Sequence, residues 1–218
     1  MLKKHALQEA AKAFDSRRYP LDFYRHHLAI LKGAKAVNTK VNTSVRELFS
    51  WRMGKVRVGK IKFSDTAKPT SFVDSGGNTN YAAGVTEITE RAIEKATSND
   101  LLKRGIAFRN GDLSFGEFAG NARKIVQTSI YLPCFFVHIW KPDEHPLFEK
   151  KVWALCRSEK GNSFTFFGTP NSMNRYRDYM DWFNDLIEKM KIDRWTAQLG
   201  LWELGRRFER EAKRDFSE

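Results

Sequence analysis

The 218-residue chain has only two cysteines, Cys134 and Cys156, and only six prolines. Two thiols cannot build a disulfide framework or a four-thiolate cluster, so a reducing compartment is expected. Long apolar runs are also missing. The longest, around Ile130 to Ile139, is interrupted by Pro133 and His138 and falls far short of a membrane span. The N-terminus, MLKKHALQEAAKAF, has neither an apolar signal core nor a small-residue cleavage site. A soluble cytoplasmic protein without membrane contact is expected. Acid is scarce as well: 26 Asp and Glu face 38 Lys and Arg, a net charge of +12. An excess of that size favours a polyanionic partner and says nothing about fold.

Hydrophobic residues make up 41% and charged residues 29%, which excludes disordered and fibrous classes. The basic excess is local. Lys32, Lys35, Lys40, Arg46, Arg52, Lys55, Arg57, Lys60 and Lys62 stand against Glu47 alone, so this segment holds +8 of the +12. Asn38, Thr39, Asn42, Thr43 and Ser44 lie among these charges, and such side chains also bond phosphate oxygens. The density points to nucleic acid, with a solvated basic face as the plain alternative.

Apolar spacing predicts a mainly α protein. Helices are expected over Lys4 to Phe14, from Pro20 with Phe23, Tyr24, Leu28 and Leu31 inward, and over Thr43 to Met53. Alternation of Val56, Val58, Ile61 and Phe63 around Gly59 suggests one short β-hairpin, and residues 74–84 (DSGGNTNYAAG) read as a polar substrate loop. Further helices are expected over Val85 to Ala96, from Ser114 to about Ser129 behind a Ser114–Glu117 capping box, from Pro146 to Arg157, from Ser172, and over Trp195 to Lys213. The chain reads as a single helical unit, divisible into a basic lobe 1–84 and a lobe 85–218.

Residues 118–126, FAGNARKIV, resemble the hairpin of the helix–hairpin–helix DNA glycosylase superfamily, L-P-G-V-G-R-K-T-A. The strings agree at Gly120, Arg123 and Lys124; the proline and the second glycine are absent. Residues 138–156, HIWKPDEHPLFEKKVWALC, are similar to the segment of those proteins in which a catalytic carboxylate opens a helix. Glu149 stands where the family has Asp, and Asp143 is the second candidate. FYRHH and LFSWRMGK (between 23 and 55) and RWTAQLGLWELGRR (194–207) are weaker echoes.

The resemblance implies a two-lobed glycosylase-like fold that flips a modified or damaged base out of double-stranded DNA and cleaves its N-glycosidic bond. It implies Glu149 as catalytic carboxylate and Lys124 as amine nucleophile of an AP lyase or as a phosphate anchor. Such a nucleophile must be desolvated or flanked by cations. Gly120 and Arg123 would join the basic segment on the backbone, and Trp140, Phe135 and Trp153 would line a base pocket, with Phe136 and the 164–167 run beside them. The base stays open: oxidised purines, alkylated bases and hypermodified phage cytosines, the last suiting phage defence. A nucleoid-associated monomer without cofactor is expected. A non-catalytic DNA-binding relative, and an RNA-binding or protein-interaction module, are the alternatives.

Other chemistries fit less well. Pro142-Asp143 and Glu149-Lys150-Lys151 imitate a PD…ExK nuclease, but the gap is short and the second half reads as helix. His26 and His27, or His138 and His145, lack metal-ligand spacing. DSGGNTN lacks the lysine of a phosphate loop, and Ser71 and Ser75 have no base nearby in sequence.

Overall fold

The computed structural model describes residues 2–14, 19–52, 87–125, 130–160 and 173–214. Among them every regular element is a helix. The expected hairpin at 56–63, the loop at 74–84 and the lobe boundary at 84 lie outside the described residues.

The helices are α1 (Lys4–Lys12), α2 (Leu21–Gly33), α3 (Thr39–Arg52), α4 (Glu87–Ala96), α5 (Asn99–Asn110), α6 (Phe115–Ala122), α7 (Tyr131–Trp140), α8 (Lys150–Lys160), α9 (Asn174–Met190) and α10 (Arg194–Arg214). They form two compact units: Asp15–Val126, and Met1–Phe14 together with Gln127–Glu218.

In unit 15–126, α2 packs on α3, α3 on α4, α4 on α5 and α5 on α6. Pro20 caps α2, where a missing N–H costs nothing. Asn38 caps α3, its Oδ1 accepting the Val41 N–H at 3.0 Å. The buried side of α3 is Val41, Ser44, Val45, Leu48, Phe49 and Trp51. Two polar bonds fix it. Trp51 Nε1 donates to the Pro20 carbonyl at 2.9 Å, and His27 Nδ1 meets Ser44 Oγ at 3.1 Å. Burial holds His27 down at about 4, with the charge of His26 adding to the effect.

Helix α5 departs from the expected pattern, which left 99–110 unassigned. Its ends are well marked. Ser98 caps the start by accepting from Leu101 N, and Gly111, at φ +91°, closes the end with the Asp112 N–H on Ala107 O. Helix α6 starts at the expected capping box but stops at Ala122, not near Ser129. Asn121 Nδ2 takes the Glu117 carbonyl at 2.8 Å, and the following amides of Lys124 and Ile125 reach back only three residues.

In the other unit, α10 packs against α1 and α8. Close approach requires two glycines of α10. A Cβ on Gly200 would overlap the Leu7 carbonyl, and one on Gly205 would lie 2.9 Å from the Lys151 carbonyl. The N-terminal helix is further tied down by Leu2 N on Glu159 Oε2 (2.7 Å), Lys4 Nζ on the Lys191 carbonyl (2.9 Å) and Phe14 edge-on to Trp202. Pro133, an expected interruption, sits in the first turn of α7, where the fold needs no N–H from it. Behind it the ring of Phe148 meets Tyr131, Trp153, Tyr176 and Tyr179 at 4.9 to 5.7 Å.

Gly200→Ala and Gly205→Ala are therefore expected to destabilise by about 1–3 kcal/mol each, the cost of overpacking. Urea unfolding of the full chain measures this; unchanged midpoints would show that the helices separate without cost.

Candidate nucleic-acid interface

The described part of the basic segment lies on the last turn of α2, the 34–38 connection and α3. Lys32, Lys35, Lys40 and Arg46 are exposed, and Arg52 is half-buried at the end of α3. Lys55, Arg57, Lys60 and Lys62 lie outside the described residues.

Helical geometry explains the exposure. With Val41, Val45, Leu48 and Phe49 turned inward, Thr39, Asn42, Thr43, Arg46 and Ser50 fall on the opposite side of α3. Lys40 and Glu47 flank that stripe.

The connection before α3 is held by Arg109, a residue that sequence reasoning did not single out. Its guanidinium donates to the carbonyls of Leu31 and Ala34, satisfying the C-terminal end of α2. No local pattern announces this role, because α2 and Arg109 meet only through the fold.

Asn42 is also more than a phosphate-bonding side chain. Its Nδ2 donates to the Thr97 carbonyl at 3.0 Å, and its Oδ1 accepts from Arg46 Nε at 3.2 Å. The carbonyl of Thr97 fixes which way the amide points. The arginine is thereby oriented by a chain of bonds that starts on the segment after α4.

Glu47, the acid noted in the basic segment, is half-buried, and burial pushes its carboxyl up to about 7. Near neutral pH this face therefore repels phosphate less than its formal charge suggests. The carboxyl can also donate a hydrogen bond while it is protonated.

The residues matched to the glycosylase hairpin lie at the end of α6. Gly120 is exposed, and a Cβ there would meet nothing within 4 Å. Arg123 is half-buried. Lys124 is exposed and donates Nζ to Asn121 Oδ1 at 3.1 Å. Lys124 therefore lacks desolvation, one of the two conditions that activate an amine nucleophile, and keeps only Arg123 next in the chain as a flanking cation; a phosphate contact needs exposure.

Glu149 belongs to the other unit. It is half-buried immediately before α8, and its carbonyl accepts the Trp153 N–H at 2.9 Å, so this carboxylate does open a helix. Its charge reaches the phenols of Tyr131 and Tyr179, both raised chiefly by burial. The Arg175 guanidinium acts on Tyr131 in the opposite sense and lies 5.5 Å from the Trp153 ring centre. Asp143 is exposed in the turn after α7.

The expected pocket residues Phe135, Trp140 and Trp153 are 1%, 2% and 4% exposed. Their rings meet core neighbours: Phe135 meets His138, Trp140 meets Phe136, and Trp153 meets Phe148. The 164–167 run lies outside the described residues.

Among the described residues no three His, Cys, Asp or Glu side chains gather as metal ligands, and no helix is long and apolar enough to cross a membrane. His27 is committed to Ser44, and His138 Nδ1 to the His145 carbonyl at 2.5 Å. No protein-family model, curated protein or solved structure matches the chain.

The carboxyl of Glu47 has a definite stability signature. Its folded pKa lies above the unfolded value of 4.5, so its contribution is fully present below 4.5 and lost as pH rises through about 7. Glu47→Gln is expected to match wild type near pH 4.5 and to be more stable at pH 8, by roughly 1–2 kcal/mol after allowance for partial exposure. Urea midpoints across this range test it; a constant offset at every pH would refute the assignment.

Proposed function

We propose that the chain binds double-stranded DNA through unit 15–126, with Lys32, Lys35 and Lys40 on the phosphate backbone, Arg46 on the same DNA-facing side and Lys124 as a further anchor. The observation that carries this reading is the exposed basic and polar side of α3, continuous in sequence with the basic end of α2. Exposed lysines gain affinity by displacing condensed counterions, and the neutral Asn and Thr side chains between them bond phosphate oxygens without adding repulsion. In this reading Arg123 and the bare backbone at Gly120 add contacts at the end of α6, the place where the resemblance puts a helix–hairpin–helix.

A second reading, excision of a modified base by a divergent glycosylase with the two-lobed fold, is favoured by Glu149 at the start of α8. A half-buried carboxylate there is suited to support positive charge developing on a sugar. The phenol of Tyr131 feels the charge of Glu149 and is hydrogen-bonded to Arg175. This reading gives Glu149 the catalytic role and uses Asp143 only as a reserve. Lys124, being exposed, serves as phosphate anchor, so a glycosylase without lyase activity is the form proposed. Phage defence would follow if the excised base were a hypermodified cytosine.

Fluorescence anisotropy with a labelled duplex across a salt series tests the first reading. Binding is expected to weaken steeply with salt. Lys32→Ala, Lys35→Ala and Lys40→Ala should each lower the salt slope by about 1 when the lysine contacts a phosphate. A salt-insensitive affinity would end the proposal.

Excision is tested separately by abasic-site formation on duplexes carrying oxidised, alkylated or hypermodified bases. Release is expected to fall by about 10²-fold or more in Glu149→Gln, the scale of losing one acid–base or electrostatic group. Release unchanged in that variant would remove Glu149 from the mechanism. Borohydride trapping lost in Lys124→Ala would restore the lyase role.

A further inference from the structure

The outward side of α3 contains more than a phosphate-binding face requires. Lysines alone would neutralise a backbone, whereas α3 presents Asn42, Thr43, Arg46 and Ser50 along one stripe, with Thr39 and Lys40 at its start. These are side-chain types that distinguish base edges: arginine pairs with guanine O6 and N7, and threonine contacts the thymine methyl.

Arg46 is also pre-oriented. The Thr97 carbonyl holds the Asn42 amide, and the Asn42 oxygen holds Arg46 Nε. Both Nη nitrogens then project beyond the bonded Nε, with no partner among the described residues. An arginine on an exposed helix ordinarily samples many rotamers, and fixing Nε removes much of that freedom before any ligand arrives. A contact that only neutralised charge would gain little from such fixing. A bidentate contact to one base edge gains directly, since the fork has to meet two acceptors at once.

The surrounding architecture suits the same task. Helices α2 and α3 are joined by residues 34–38 and pack on each other. The connection is pinned by Arg109 on Leu31 and Ala34, and by the Asn38 cap. The Trp51–Pro20 bond at the opposite end and the His27–Ser44 bond between make an antiparallel helix pair, so α2 holds α3 along its length and leaves the polar stripe outward. A helix about 10–12 Å across fits a B-form major groove about 12 Å wide, and not the deep, narrow one of A-form RNA.

We infer that α3 is a base-reading helix for duplex DNA, with Arg46 contacting a base edge in the major groove and Asn42 acting as its positioning residue. This inference rests on the DNA-binding reading above and adds sequence preference to it.

The test is selection of the full chain on a randomised duplex library at fixed ionic strength, followed by sequencing. Wild type is expected to enrich a short motif containing a guanine. Arg46→Ala, at an exposed position that leaves the core intact, should relax preference at that one base pair by roughly 10-fold or more. Arg46→Lys should not restore it, because an ammonium cannot reproduce the held fork. Asn42→Ala should weaken the same preference by a larger factor than it lowers affinity for unselected duplex. Lys32→Ala should weaken all sequences alike.

Salt-dependent binding with no enriched motif would overturn base reading and leave DNA binding intact. A motif kept unchanged in Arg46→Ala, or a preference for duplex RNA, would overturn it too. No salt-sensitive duplex binding at all would overturn both readings.

Discussion

The indole N–H of Trp51 on the Pro20 carbonyl is the bond on which unit 15–126 depends. Trp51 is fully buried near the end of α3, and Pro20 caps the start of α2. A proline carbonyl at a helix cap already accepts the Tyr24 N–H, and the indole fills its remaining capacity. The same contact brings Tyr19 and Tyr24 against the indole ring. Once the far end of α3 is tied to the near end of α2, the His27–Ser44 bond fixes its rotation about its own axis. The polar stripe then has a single direction to face. Its chemistry follows from which residues are left outside once Val41, Ser44, Val45, Leu48, Phe49 and Trp51 are buried.

That coupling separates what the sequence makes legible from what it does not. Amphipathic spacing suffices for α1, α2, α9 and α10, since their apolar residues recur at helical intervals. It fails for α5, where Lys103, Arg104, Gly105 and Arg109 break up Leu101, Leu102, Ile106 and Phe108. The signals at its ends, Ser98 and Gly111, are the better guide there. Helix α6 ends at Ala122, short of the expected Ser129, where Asn121 turns its side chain back onto the Glu117 carbonyl, a local competition that spacing does not register. At the interface, the charges of Lys32 to Arg46 are plain in composition. The orientation of Arg46 is not, because the carbonyl that governs it is 55 residues beyond Asn42 in the chain. Arg109 is hidden for the same reason.

The aromatic residues show a related limit. A sequence with 17 Phe, 6 Trp and 6 Tyr offers many rings for stacking on a base. Burial decides which of them are already engaged. Phe148 alone is surrounded by four rings, and Phe135, Trp140 and Trp153 meet core partners. Histidine follows the same rule. His27, His138 and His145 are all buried, and burial is the first cause of the low values of each, about 4, 3 and 4. They are therefore neutral at physiological pH and act as packed polar groups.

Charge placement completes the argument. Residues 15–126 carry 20 of the 38 Lys and Arg but only 11 of the 26 Asp and Glu, whereas the remainder is close to balance. A uniform excess would only oppose compaction, whereas a local one creates a field able to draw in a polyanion. Between Lys32 and Lys62 Glu47 is the one acid, and burial offsets its effect by favouring the proton-bound form up to about pH 7. An unburied carboxylate in its place would be ionised well below neutrality and would oppose every nearby phosphate. The same packing that hides part of Glu47 against the core thus keeps the α3 face more cationic than its composition implies. Fold and charge are not independent contributions here, because the inward side of α3 sets the electrostatics of the outward one.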